Sequence, residues 1–369
     1  MRKRPHKKGI LMDKLNVFYD QENKFKEIFN PSNGFYLRTG VLDENGKDTG
    51  IDPFMRNYPS LLDVGIMGHC KNSKYCTVGC YQGKVWKENM PFQTFKGIID
   101  QSKGKTFEIA LGGFGSPNEH EQFEDIVRYA HENGVIPNYT TSGIELTDEQ
   151  IEITKKYCGA VAVSWYKMSY TYDAIDRFIE AGCKTNIHYV VSNRSIDEAI
   201  YGLKNNDYFP KGINAVIFLL FKPVGCGKRT DMLDVNDPKV AEFYSALENH
   251  RGNFKVGLDA CNMPGIINFS TKINPISTSP CDGASFSAYI TSDNYLLPCS
   301  FDNVTRRYAY DLSESTIEEG WRSEIFETFR NYHRFSCPSC AHQNDCRGGC
   351  PIVTQINLCN KDEREYYAK

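Results

Sequence analysis

The sequence predicts an α/β fold: a partial (β/α)6 TIM-like barrel followed by a small, irregular, cysteine-rich domain. Three observations carry this expectation. Between residues 60 and 223, six short apolar runs alternate with stretches of helical periodicity. Beyond residue 255 the alternation stops and the chain becomes rich in Cys, Pro, Ser and Asn. The 14 cysteines are also grouped, with three between residues 70 and 80 and eight after residue 260.

The six runs are LLDVGIMG (61–68), TFEIALGG (106–113), VIPNYTTSG (135–143), AVAVSWY (160–166), TNIHYVVS (185–192) and NAVIFLLFKP (214–223). Strands separated by helices imply parallel pairing through right-handed crossovers. Six such strands suit a partial barrel, and a doubly wound open sheet fits the same periodicity. Among the helices, Phe123, Ile126, Val127 and Ala130 share one face, with Asn118 upstream as an N-cap. Thr147-Asp148 opens a second helix, 172–181 forms a third, and Ser195-Ile-Asp-Glu has capping-box spacing for a fourth. A further helix is expected at 237–249 and one more at 316–329. Ahead of the barrel, residues 1–59 read as an irregular lead-in. It holds a strand at 34–40 and an Asn-Gly turn in DENGK (43–47), enough for a small hairpin. The expected organisation is therefore 1–59 lead-in, 60–255 barrel and 256–369 cysteine-rich domain.

Composition narrows the function classes. Of 369 residues, 40% are hydrophobic and 24% charged, which is ordinary for a soluble globular protein. A formal net charge of −3 gives no reason to expect a nucleic-acid partner. The basic opening, MRKRPHKKGILM, precedes no apolar stretch of signal length, and no run of membrane-spanning length occurs. A cytoplasmic location without membrane association is expected. In a reducing compartment, grouped cysteines serve as metal ligands rather than as disulfides.

Cys70, Cys76 and Cys80 lie in the loop HCKNSKYCTVGC, directly after the first predicted strand. Active sites of parallel α/β sheets form at the carboxyl ends of strands. Three thiolates can wrap a 4Fe–4S cluster and leave its fourth iron open to a small ligand. By donor type alone, a zinc knuckle fits equally. The second group is Cys337-x2-Cys340-x5-Cys346-x3-Cys350, with Cys359 beyond it. Its close pairs suit zinc or iron–sulfur by spacing alone.

Taken together, these motifs resemble the radical S-adenosylmethionine (SAM) superfamily with a C-terminal SPASM domain, over residues 61–359. The superfamily loop is Cys-x3-Cys-x2-Cys; here it is Cys-x5-Cys-x3-Cys, with Gly79 where an aromatic residue is usual and Tyr81 following. LGGFGSP (111–117) resembles the Gly-Gly-Glu-Pro cradle of the SAM amino group. It keeps Gly112 and Gly113 but has Phe114 in place of Glu. YTTSG (139–143) resembles the third-strand Thr-Asn-Gly, pointing to Ser142. AVSWY (162–166) resembles the fourth-strand Val-Ser segment, pointing to Ser164. FKPVGCG (221–227) resembles the sixth-strand Pro-x-Gly turn. The SPASM pattern is matched at all seven cysteines, with Asn294 where Gly is usual. That resemblance assigns Cys337, Cys340, Cys346 and Cys359 to one auxiliary 4Fe–4S cluster, and Cys281, Cys299 and Cys350 to another. Cys261 is the expected fourth ligand of the latter, an open iron being the alternative.

The resemblance implies reductive cleavage of SAM at the Cys70/Cys76/Cys80 cluster, giving a 5′-deoxyadenosyl radical that abstracts hydrogen from a substrate. The electron would come from a donor such as flavodoxin or ferredoxin. The auxiliary clusters would accept an electron or ligate the substrate. The implied substrate is a ribosomal peptide or protein side chain. The lead-in is short for a leader-binding winged-helix domain, so recognition would fall to a separate protein or to the barrel itself. A small metabolite or nucleotide substrate is the second reading, and a non-catalytic zinc-binding interaction protein the third. Among the leftover residues, Cys158 and Cys183 read as buried filler, and Cys226 faces the active side. One of His188 and Tyr189 is expected to point into the barrel. Asp302 is off register from Ser300, the position of a catalytic Asp in sulfatase maturases, so that role is not transferred to it.

Overall fold

Strand order separates the two architectures that the periodicity left open. The structure is a computed structural model describing residues 15–71, 80, 86–273, 278–335 and 337–359. It divides into two units, Met1–Phe54 and Met55–Lys369. The second unit alternates β4 (Leu61–Met67), α1 (Phe92–Ser102), β5 (Glu108–Gly113), α2 (Phe123–Glu132), β6 (Ile136–Thr141), α3 (Asp148–Tyr157) and β7 (Ala160–Ser164). It continues through α4 (Ser169–Glu180), β8 (Thr185–Val191), α5 (Ile196–Lys204), β9 (Ala215–Leu220), α6 (Pro238–Asn249), β10 (Lys255–Leu258) and α7 (Met263–Phe269). The strands β4 to β10 pair in chain order, every pair parallel. A doubly wound sheet must reverse its order at a switch point. Among the described strands β4 to β10 none exists, so their crossovers all run one way, as in a partial barrel. A seventh parallel strand, β10, follows the six expected ones.

The region expected to be irregular contributes strands of its own. β11 (Ser287–Ile290) adds parallel to β4, and β12 (Tyr295–Leu297) and β13 (Tyr310–Asp311) follow antiparallel. These strands are two to four residues long, too short for periodicity to register. The β11–β12 turn places Asn294 at φ +64°. The helix expected at 316–329 is two helices, α8 (Ile317–Trp321) and α9 (Glu324–Phe335). Ser323 separates them: its Oγ donates to the Gly320 carbonyl at 2.7 Å and accepts from the Phe326 N–H at 3.4 Å. A last short helix, α10 (Gln343–Cys346), lies among the C-terminal cysteines.

Two expected caps are not formed. Asn118 does not cap α2, which starts at Phe123 after Gln122. Asn118 is buried instead and exchanges hydrogen bonds with Gln150, its carbonyl accepting from Nε2 at 2.6 Å. The Ser195 box also fails, because both its members are engaged elsewhere. Ser195 Oγ donates to the Val190 carbonyl at 2.8 Å. Glu198 accepts from Trp165 Nε1 at 3.1 Å and Lys167 Nζ at 2.6 Å. Thr147, by contrast, makes a complete capping box with Gln150.

The strands have two distinct faces. Leu62, Val64, Ile66, Val161, Val163, Ile187, Tyr189, Val216 and Phe218 are all buried in the hydrophobic core. The intervening positions, among them Asp63, Asn138, Thr140 and His188, face the other way and line a polar lumen. His188 is thus the inward member of its pair; Tyr189 is buried and its hydroxyl donates to the Ser195 carbonyl.

The first unit is a meander of β1 (Asn16–Asp20), β2 (Phe25–Asn30) and β3 (Phe35–Arg38), all antiparallel. Only β3 was anticipated. Asp20 closes the first turn by accepting from the Glu22 and Asn23 amides, at 3.1 and 2.9 Å. The 43–47 turn closes an isolated Leu42–Asp48 bridge, with Asp43 N–H donating to the Lys47 carbonyl, while β3 pairs with β2 and not across that turn.

Candidate functional site

The cysteine loop leaves β4 at the carboxyl end of the barrel, where the glycine run after β5 presses against its base. Gly113 has φ +117°, and a Cβ there would lie 2.3 Å from the Met67 carbonyl oxygen. A Cβ on Gly115 would lie 2.6 Å from the His69 oxygen and 3.4 Å from Cys70 Cα. The Phe114 amide donates to the Met67 carbonyl at 2.9 Å. These glycines are required by close backbone approach. Gly112 differs: among the described residues, nothing lies within 4 Å of where its Cβ would be.

The far end of the loop is tied across the mouth, the Cys226 N–H donating to the Cys80 carbonyl at 2.9 Å. Cys76 lies outside the described residues, so of the loop's three cysteines Cys70 and Cys80 are described. Ser142 sits at the end of β6, its hydroxyl 3.1 Å from that of Ser116. Ser164 ends β7 in register with His188 of β8. Cradle, serines and cysteine loop therefore share one end of the barrel.

Below them the lumen is unusually polar. Asn138 Nδ2 donates to Glu108 at 3.0 Å, and Thr140 Oγ1 lies 3.2 Å from His188 Nδ1. Burial drives His188 down to about 4 against the opposing pull of Asp259, so it is neutral near pH 7. Asp63 is partly exposed to the lumen, and burial pushes its carboxyl up to about 7. It stands beside Tyr289 of β11, whose hydroxyl lies 2.3 Å from where a Gly65 Cβ would be. Lys222 and Asp259 form an ion pair at 2.6 Å. Burial lowers the Lys222 pKa most strongly, but Asp259, Cys261 and Cys299 together outweigh it and keep the ammonium charged.

The C-terminal cysteines fall into two sets. Burial raises the thiols of Cys261, Cys281, Cys299 and Cys350, with Cys281 pushed up to about 12, and these four act on one another. Cys261 therefore joins the set to which Cys281, Cys299 and Cys350 belong. In the second set, burial raises Cys346 to about 11, and Cys359 and Cys337 add to it. Cys340 is held beside Cys337 by its N–H donating to the Cys337 carbonyl at 3.0 Å. Among the described residues, no three His, Cys, Asp or Glu side chains converge on a single metal ion. A four-iron cluster holds its thiolates at separate corners, further apart than one ion does. The buried thiols of the first set and Cys346 need a cationic group to become thiolates, and four cysteines in each set fit the donor type of such a cluster.

Several of these residues carry no motif. Asp63 and Lys222 signal themselves only as charges inside apolar strand sequence, LLDVGIM and IFLLFKP. Asp302 is consumed structurally: it accepts from the Arg307 and Tyr308 amides at 3.0 and 2.8 Å and from Thr305 Oγ1 at 2.6 Å. Cys158 and Cys183 pack against the hydrophobic core.

Comparison with known proteins agrees with this arrangement. A family model described as an iron–sulfur cluster-binding domain, SPASM, matches residues 281–347. Streptococcus suis SuiB bound to S-adenosylmethionine superposes with a TM-score of 0.72 at 13% identity, covering 94% of this chain and 99% of that one. SuiB bound to its precursor peptide SuiA gives 0.68 at 13% identity, over 94% and 100%. Native anSMEcpe with bound AdoMet and the Cp18Cys peptide gives 0.59 at 16% identity, over 83% and 92%. No curated protein matches in sequence. The expected partial barrel followed by a cysteine-rich region, part of which matches the SPASM model, is thus the fold observed.

Proposed function

We propose that this chain, which joins a SPASM iron–sulfur domain to the fold of SuiB and anSMEcpe, is a radical SAM enzyme acting on a ribosomal peptide or protein side chain. The observation that carries the reading is the shared end of the barrel, where the Cys70–Cys80 loop meets the glycine run above a polar lumen. A 4Fe–4S cluster with SAM bound there would supply a 5′-deoxyadenosyl radical able to take hydrogen from an unactivated C–H bond.

The chain's own residues have separable tasks. Cys70, Cys76 and Cys80 hold the cluster. Gly112 and Gly113 leave room for the SAM methionine moiety, and Ser142 and Ser164 orient the nucleoside. The neutral His188 and the Thr140, Asn138 and Glu108 side chains offer hydrogen bonds to substrate without adding a cation to the lumen. Cys261, Cys281, Cys299 and Cys350 form one auxiliary site, fully ligated by protein and so suited to electron transfer. Cys337, Cys340, Cys346 and Cys359 form the other. Residues 60–255 carry SAM cleavage and 256–369 the auxiliary sites, with flavodoxin or ferredoxin as the electron donor. The peptide substrate is supported by SuiB and anSMEcpe, both captured with peptides.

The test is anaerobic reconstitution, counting of iron and sulfide, and assay of 5′-deoxyadenosine with dithionite and SAM. About twelve irons and deoxyadenosine formation are expected. Deuterium transfer from a labelled precursor peptide into 5′-deoxyadenosine would establish the substrate class. Two bound zincs, or full iron without SAM cleavage, would overturn the reading.

A further inference from the structure

We propose that Lys222 sets the reduction potential of the auxiliary cluster held by Cys261, Cys281, Cys299 and Cys350, its buried ammonium making that cluster easier to reduce. The inference rests on reading those four cysteines as a cluster site.

Lys222 follows β9 in the FKPVGCG turn, and its side chain is 2% exposed. Nζ donates to Asp259 Oδ2 at 2.6 Å and to the Leu220 carbonyl at 2.9 Å, and it lies 4.5 Å from the centre of the Phe301 ring. Asp259 is two residues before Cys261, and Phe301 two residues after Cys299. The ammonium is therefore enclosed between the two arms that present those ligands. Its charge acts on the Cys261, Cys299 and Cys350 thiols.

The pair is also fixed in place. Asp259 Oδ1 accepts from Asn262 Nδ2 at 2.6 Å and from the Leu220 amide at 3.3 Å. Asn262 in turn accepts from the Tyr244 hydroxyl at 2.9 Å. Asp259 thus has its negative charge shared among three donors, while Lys222 Nζ has two protein acceptors among the described residues. A buried ion pair is weak evidence of a stability role, since apolar residues of similar volume often replace one at no loss. Its position between the ligand-bearing arms is what needs explaining.

One-electron reduction adds one negative charge to a cluster. In a site of low dielectric, an adjacent cation stabilises that more negative form. Removing Lys222 should therefore lower the potential, and removing Asp259 should raise it.

The test is an anaerobic redox titration of the reconstituted full chain, followed by electron paramagnetic resonance, on wild type, Lys222→Arg, Lys222→Met and Asp259→Asn. Cys281→Ala identifies the reduction step that belongs to this cluster. At full iron content, Lys222→Met should move that step to lower potential and leave the others in place. Lys222→Arg should retain the wild-type value, and Asp259→Asn should move the same step upward. Should Lys222→Met fail to hold its iron, the Arg and Asn variants still decide. Steps that stay put in all variants, or that shift the same way for Met and Asn, would overturn the role of Lys222. If Cys281→Ala removes no step and no iron, the cluster reading itself fails instead.

Discussion

Asp63 offers a direct test of the polar lumen, because its carboxyl costs the folded state free energy once ionised. It lies on β4, has no side-chain partner among the described residues, and is pushed up to about 7 by burial. In the unfolded chain an aspartate titrates near 3.9. Between about pH 4 and pH 7, the folded protein therefore holds a proton that the unfolded chain has lost, and stability falls as pH rises through that window. Replacing Asp63 by Asn keeps the volume and removes the ionisation. A carboxyl held at about 7 corresponds to on the order of 4 kcal/mol of destabilisation above neutrality. Solvent in the lumen reduces this, so a gain of about 1–4 kcal/mol at pH 8 is expected for Asp63→Asn, shrinking toward zero near pH 4. Urea unfolding of the cluster-loaded chain, run anaerobically at pH 5 and pH 8, reads the difference. A gain equal at both pH values, or a loss at pH 8, would refute the buried-carboxyl argument.

Three further outcomes follow from the same geometry. Cys261→Ala should lower the iron count from about twelve to about eight, whereas Cys158→Ala should leave it unchanged; twelve irons in Cys261→Ala would mean an open iron instead. Gly113→Ala should cost about 2–3 kcal/mol in thermal unfolding, since its φ is +117° and its Cβ would meet the Met67 carbonyl. Gly112→Ala, whose Cβ would meet nothing among the described residues, should fold normally yet weaken SAM binding by calorimetry, and equal stability of the two variants would contradict the cradle. His188 should remain a neutral imidazole from pH 6 to pH 8 in nitrogen-15 spectra, and a protonation midpoint near 6.5 would show that water reaches it freely.

The sequence revealed the first six barrel strands because each is a run of five to seven residues with one face pressed on helices, a pattern strong enough to see without partners; β10, of four residues, was not seen. It did not reveal β11 to β13, whose two to four residues carry no period and exist because β4 leaves an edge to pair with. Caps failed where a side chain had a better partner in three dimensions. Glu198 is three residues from Ser195 in sequence, yet its carboxylate is taken by Lys167, Trp165 and Tyr208. The cysteines proposed as ligands stood out because such chemistry requires specific spacing. Lys222 and Asp63 act through burial, which spacing does not encode.

The C-terminal cysteines show most clearly what spacing leaves out. Cys346 and Cys350 are four residues apart, close enough to serve one metal, yet they act on different neighbours. The reason is local backbone. Arg347, Gly348 and Gly349 all have positive φ, at 56°, 76° and 84°, so the chain turns sharply between the two cysteines. Arg347 sits in that turn almost fully buried, its guanidinium donating to the Cys281 carbonyl at 3.1 Å and to Ser285 Oγ at 3.2 Å. The Arg347 carbonyl lies 2.8 Å from His333 Nδ1 on α9. One arginine thus anchors the loop of the first set while its own backbone is pinned to the helix that leads into the second. Glycines at 348 and 349 make the turn affordable, because two further left-handed residues with side chains would be strained. The division of Cys346 and Cys350 between the two sets therefore follows from Arg347, Gly348 and Gly349, which lie between them.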